Sequence, residues 1–317
     1  MTVLEAIQKS ADFLDKRGVD SPRLQAELLL AHALKMPRMK LYLNFERSLN
    51  APETDALRDL VKRRSQREPL QHIVGTTSFC GLEIGVNRNV LVPRPETELL
   101  AELGWQFLAA LVAQRENDFP SSSSPLTRGE PSPAAHAAPS PTSRAREMRE
   151  ISALDFGTGS GCIAIALAAK CPAARVTGLD ISSEALALAR DNAARNNIAE
   201  RIEFLHGDGF AACPGQQFDL VVSNPPYIPS EEIATLQPEV RDFDPRSALD
   251  GGLDGLDFYR RLAADAGASL KLGGRIMMEF GDGQGESIAE IFKNEKWIVE
   301  SVKEDYSRRP RILVAKK

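Results

Sequence analysis

Cysteine is scarce and scattered: Cys80, Cys162, Cys171 and Cys213 form no C-x-x-C pair, and the 4 histidines stand just as isolated. That spacing excludes a disulfide framework and a local metal-ligand motif, so no bound metal is expected. Long apolar runs are also missing. The longest covers 162–169, far too short to cross a bilayer, so no membrane partner is expected. The first ten residues carry Glu5 and no apolar stretch, which argues against a secretory signal. Basic residues are not in excess either. Lys+Arg number 39 against 44 Asp+Glu, for a formal net charge of −5. A general nucleic-acid binder usually carries the opposite balance, so direct nucleic-acid binding is not expected, with a local basic patch left open. These absences predict a reduced, cytoplasmic protein.

What is present suits a globular chain of two domains: 317 residues, 43% hydrophobic and 26% charged. Residues 1–71 read as helices. Val3, Ile7 and Leu14 recur at helical spacing, as do Leu24, Leu28 and Ala31, then Leu57, Leu60 and Val61. Ser21-Pro22 and Ala51-Pro52 look like helix starts. This unit is either scaffold or a substrate-recognition domain. Residues 72–95 hold short apolar stretches broken by Gly75, Gly81 and Gly85, the pattern of a β-hairpin connector. A domain over 96–317 follows. It opens on a helix over 96–113 and is interrupted at 115–150 by a Ser/Pro/Ala-rich insertion whose composition predicts disorder.

Beyond the insertion, strands alternate with helices. Strands are expected at 151–156, 174–179, 201–205, 218–223 and 274–280, with an antiparallel pair at 297–304 and 311–315. Helices are expected after the first strand and over 183–196 and 255–270. Near-continuous apolar strands of this kind build an α/β domain with a mostly parallel, seven-stranded sheet covered on both faces. Such sheets bind ligands beyond the carboxyl ends of their strands.

The chemistry-bearing residues fall at those ends. The first strand runs into Gly157-Thr158-Gly159-Ser160-Gly161 after Asp155-Phe156. A dinucleotide fingerprint is G-x-G-x-x-G; here the third glycine comes one place early, which fits a ligand held without a pyrophosphate. Asp155 suits capping of the next helix. Asp180, closing the second strand, stands where a ribose diol would be gripped, and it too could cap a helix. Asp208 lies where an adenine amino group would need an acceptor, or is simply a turn aspartate beside Gly207 and Gly209. Asn224-Pro225-Pro226-Tyr227 directly follows the apolar strand at 218–223. Two prolines remove two N–H donors, so this stretch presents carbonyls, the Asn224 oxygen and one aromatic plate. That combination suits a planar group bearing NH2, either a carboxamide or a nucleobase amine.

On these residues the chain resembles the HemK/PrmC family, protein-(glutamine-N5) methyltransferases of peptide chain release factors. The stretches that carry the resemblance are Glu68 to Ile73 with Gly75, Val92 to Glu98, Asp155 to Gly161, Ser223 to Ile228, and Asp244 to Gly252. The resemblance implies a Rossmann-like class I methyltransferase domain that uses S-adenosyl-L-methionine and releases S-adenosyl-L-homocysteine. It assigns Gly157, Thr158, Gly159, Ser160, Gly161 and Asp180 to the cofactor, with Asp208 and Asn224 as further contacts. Asn224, Pro225, Pro226 and Tyr227 would hold the substrate glutamine, with Asn224, Pro225 and Tyr227 serving catalysis. The sequence departs from the family in two places. Phe156 replaces an aliphatic residue, and Gly209 stands where a large side chain often covers the adenine, leaving Phe210 as a substitute. Rival readings are a ribosomal-protein glutamine methyltransferase, an adenine-N6 nucleic-acid methyltransferase and a non-catalytic adaptor.

Overall fold

The computed structural model describes residues 1–118 and 150–317. Of the insertion expected at 115–150, residues 119–149 lie outside the described residues, and 115–118 are helical rather than disordered.

Helix formation at the amino end follows from local capping. In α1 (Val3–Asp15), the Thr2 side chain accepts from the Glu5 N–H while Glu5 reaches back to the Thr2 N–H. The same reciprocal box joins Asn50 and Glu53 at the start of α4 (Ala51–Ser65). Between them lie α2 (Pro22–Ala33) and the short α3 (Arg38–Tyr42), and α5 (Leu70–Val74) closes the unit. Val3, Ile7, Leu14, Leu29, Leu30, Leu41 and Leu57 form its core. Two local expectations need correction. Leu24 is 42% exposed, because α2 buries Ala26, Leu29 and Leu30 instead. Ser21 takes a left-handed conformation and makes no side-chain cap, leaving Pro22 as the start signal.

The connector hairpin pairs β1 (Thr76–Phe79) with β2 (Leu82–Gly85) around Cys80-Gly81, both at positive φ. It is pinned at two points. The Cys80 N–H donates to Glu98, and the Asn192 side chain bonds both backbone groups of Gly85. His72 belongs to α5 rather than to the hairpin. Helix α6 (Pro95–Asp118) outruns its expected end at 113.

The remaining chain builds one seven-stranded sheet. In chain order its parts are β3 (Ile151–Phe156), α7 (Cys162–Lys170), β4 (Ala174–Asp180), α8 (Ser183–Arg195), β5 (Ile202–His206) and β6 (Phe218–Ser223). After these come α9 (Pro238–Arg241), α10 (Asp257–Asp265), β7 (Leu270–Glu279), α11 (Gly285–Asn294), β8 (Ile298–Glu304) and β9 (Pro310–Lys316). The spatial order is β5-β4-β3-β6-β7-β9-β8, and β9 alone runs against the others. Neighbouring residues of the central strands face opposite layers. Ala153, Leu220, Val222 and Met277 pack with α6 and α7, whereas Leu154, Val221, Ile276 and Met278 pack with α10 and α11. Strand β7 begins four residues before its expected start, because Leu270 already pairs with Phe218. A register shift then skips Gly273-Gly274, a pair that reads as a turn in sequence, before Arg275 pairs with Leu220.

From β3 the chain steps outward to β4 and β5, then crosses back to β6 on the other side of β3. The carboxyl ends of β3 and β6 are therefore the switch point where such sheets open a crevice. Among the described residues, no helix is long and apolar enough to cross a membrane.

Candidate active site

A cavity opens at that switch point. Pro93, Arg94 and Thr97 line it, as do Pro245, Ser247 and Ala248. Its floor is Gly157 to Ser160 with Asp180, Asp208, Asn224 and Pro226. Residues from stretches far apart in sequence thus converge on one volume.

The glycine loop is shaped by backbone bonds. Gly157 and Thr158 both donate to the Leu179 carbonyl, at 2.8 and 2.9 Å, locking the loop to the end of β4. Gly157 and Gly159 hold φ of +74° and +54°, values costly for a residue with a Cβ, and the space a Cβ would fill is open at both. Gly161 does a different job. It lies outside the cavity lining, at the start of α7, where a Cβ would sit 3.0 Å from that of Ala189.

Two carboxylates support the loop. Thr158 donates its hydroxyl to Asp155 Oδ2 at 2.6 Å, and the Ala164 N–H donates to the same oxygen at 3.0 Å, so Asp155 caps α7. Its Oδ1 is buried without a partner. Burial pushes the Asp155 carboxyl up to about 7 despite those two bonds, and Asp180 adds to the rise. Asp180 accepts from Gly159 N–H at 2.8 Å and from Ser182 N–H at 2.9 Å while lining the cavity. Helix α8 is capped by the Ser182 hydroxyl rather than by Asp180.

The adenine end differs from what Phe210 suggested. Phe210 packs on Phe156 with ring centroids 5.1 Å apart and does not line the cavity. Gly209, at φ +80°, leaves the space above it to Arg261, which pairs with Asp208 at 2.6 Å. The apolar walls are Ile181, 62% exposed, with Leu91, Ala248 and Phe258. Sequence reading missed Arg261, Phe258 and Ile181. The last directly follows Asp180, and an apolar residue just past an acidic strand end was its one legible signal.

At β6 the Ser223 hydroxyl donates to the Phe156 carbonyl at 2.7 Å, tying the two strand ends that flank the switch point. Asn224 follows at the cavity floor, its Nδ2 donating to Thr97 Oγ1 at 3.1 Å. Thr97 in turn donates to Glu279 Oε2 at 2.7 Å. Pro226 lines the cavity; Pro225 and Tyr227 do not. Tyr227 packs toward the apolar layer around Tyr259, where burial pushes its hydroxyl up to about 12. Among the described residues, no three His, Cys, Asp or Glu side chains are grouped to hold a metal.

A nucleoside carrying a positive charge fits this donor set. Asp180 supplies a carboxylate at the open end of β4, the cavity floor runs over two bare glycines, and the ionised form of the buried Asp155 would favour a cation above the loop. Fold and cavity together define a class I methyltransferase. The sequence matches the PrmC N-terminal domain over residues 5–75 and the Methyltransferase small domain over 143–237. It is 42% identical to the release factor glutamine methyltransferase of Geobacter sulfurreducens, across 92% of this chain and 88% of that one. To the enzyme of that description from Caulobacter vibrioides it is 39% identical, across 92% and 89%. Among solved structures, the ribosomal protein L11 methylase of Lactobacillus delbrueckii subsp. bulgaricus superposes with TM-score 0.42 at 20% identity, over 72% of this chain and 81% of that one. The chain belongs to the release factor glutamine methyltransferase family.

Proposed function

We propose that the chain methylates the side-chain amide nitrogen of the glutamine in the Gly-Gly-Gln motif of peptide chain release factors, with S-adenosyl-L-methionine as donor and S-adenosyl-L-homocysteine as product. The observation that carries the substrate side is the state of Asn224. Its NH2 donates to Thr97, while its Oδ1 accepts no hydrogen bond among the described residues and belongs to a cavity-lining side chain.

A carboxamide nitrogen is a poor nucleophile, because its lone pair is delocalised into the carbonyl. Asn224 Oδ1 accepts from one N–H of the substrate amide, which raises electron density on nitrogen and aims it. Bound S-adenosylmethionine supplies an electrophilic sulfonium methyl carbon. An acceptor fixed before the reaction stabilises the N–H acidity that develops as nitrogen bonds to carbon. Alignment of the two reactants contributes about 7–11 kcal/mol. The surplus proton leaves afterwards to water, since Tyr227 is held neutral. Asp180 holds the ribose hydroxyls, and Gly157 to Ser160 form the floor beneath the donor. Activation by an acceptor asks for no metal.

The names of the relatives support a release factor as partner over a ribosomal protein or a nucleic acid, and a cytoplasmic site of action accords with such a substrate. The test is transfer of labelled methyl to a purified release factor. Label is expected in the intact protein and absent when the Gly-Gly-Gln glutamine is replaced. Label that persists after the replacement refutes the assignment.

A further inference from the structure

An amide rotated by half a turn presents NH2 where it presented oxygen, so the neighbour behind Asn224 decides which end faces the cavity. That neighbour is Thr97, near the start of α6, and behind it stands Glu279, the last residue of β7; both are buried. A hydroxyl owns one hydrogen, and an ionised carboxylate can only accept. With the Thr97 hydrogen given to Glu279, the Thr97 oxygen can only accept from Asn224. Turning the Asn224 amide over would set two acceptors face to face.

We propose that Thr97 and Glu279 are positioning residues that fix the Asn224 amide with its oxygen toward the cavity. The inference rests on the function proposed above, because a substrate NH2 needs an acceptor and only one amide orientation supplies it.

The surroundings of Glu279 make the device titratable. Burial pushes its carboxyl up to about 7. The Thr97 hydroxyl, Arg311 of β9 and Arg94 of the connector pull it down, and Glu96 beside Thr97 pushes it up. Tyr227 and Tyr259 also face this group, both kept neutral by burial, and the Tyr259 hydroxyl donates to the backbone carbonyl of Glu279. Once protonated, Glu279 can donate to Thr97, and the polarity of the chain is no longer forced. The oriented state is therefore present above about pH 7 and lost as pH falls through that value.

The experiment compares Thr97→Val, which keeps shape and loses the hydroxyl, with Thr97→Ser, which keeps the hydroxyl. Turnover of release factor is measured at saturating S-adenosylmethionine across pH. In parallel, the Asn224 side-chain amide is followed by nitrogen-15 NMR for proton exchange with water. Thr97→Val is expected to lose about 10–100-fold in turnover, the range for a partner that orients a reacting group. Its S-adenosylmethionine affinity should stay within about twofold of wild type. It should also lose the rise in turnover through about pH 7 and exchange the Asn224 amide protons faster, whereas Thr97→Ser should behave as wild type. Wild-type turnover in Thr97→Val, equal loss in both variants, or unchanged amide exchange would each overturn the inference. The exchange measurement needs no substrate. A wild-type enzyme that failed to methylate release factor would refute the substrate reading alone, and the spectra would still decide the orientation.

Discussion

The Asp180 carboxylate accepts from the Gly159 N–H at 2.8 Å, so the acidic end of β4 braces the glycine loop as well as lining the cavity. Its other oxygen accepts from Ser182 N–H at the entry to α8. Replacing it with alanine therefore removes two braces and the proposed ribose contact together. Asp180→Ala should weaken S-adenosylmethionine binding by about 1.5–3 kcal/mol per charged hydrogen bond lost. Calorimetry on the folded variant measures it, and unchanged affinity would remove Asp180 from the site.

A second prediction concerns how the helical unit is held against the sheet domain. Arg64 and Arg67, at the end of α4 and just beyond it, each reach Glu239 of α9 at 2.7 Å, and the Arg64 side chain is only 5% exposed. Glu239→Ala leaves that buried guanidinium without its carboxylate. Such losses cost about 3–5 kcal/mol. The low end is expected, because the Glu68 carbonyl still accepts from Arg64. Urea unfolding is the measurement. An unchanged midpoint would show that the two units do not depend on this contact.

Cofactor binding should depend on pH through Asp155. Its carboxyl, held up at about 7 by burial, is half protonated near neutrality. A cation bound over the loop favours the ionised form, so binding releases a proton and affinity falls as pH drops below about 7. S-adenosyl-L-homocysteine lacks the sulfonium charge and should show the weaker dependence. Titrations of both ligands from about pH 8 to about pH 6 test this, and parallel curves would contradict it.

Much of this arrangement was legible in the sequence because it lies in continuous stretches. β3 and β6 announce themselves as mostly apolar segments, and the Gly157 to Gly161 loop, Asp180 and Asn224 sit directly at strand ends. The support behind Asn224 was not legible. Thr97 precedes it by 127 residues and Glu279 follows Thr97 by 182, so no local pattern links the three. Phe210 misled for a related reason: its position beside Asp208 is local, but its packing on Phe156 is set by the layer beneath the sheet. Leu24 fits a helical repeat that α2 does not use, since Ala26, Leu29 and Leu30 face α1 and α4 instead.

The central claim is that the Asn224 oxygen accepts from the substrate amide, and single-turnover rates of Asn224 variants test it most directly. Asn224→Ala removes the acceptor and should slow methyl transfer about 10²–10³-fold, or about 2.7–4 kcal/mol, with little change in S-adenosylmethionine affinity. Asn224→Asp keeps an acceptor of the same shape, adds a negative charge and loses the donor to Thr97, so it should fall below wild type but retain more activity than alanine. Wild-type rates in Asn224→Ala would contradict the account outright. Equal loss in both variants would move the essential role from the Asn224 oxygen to its NH2.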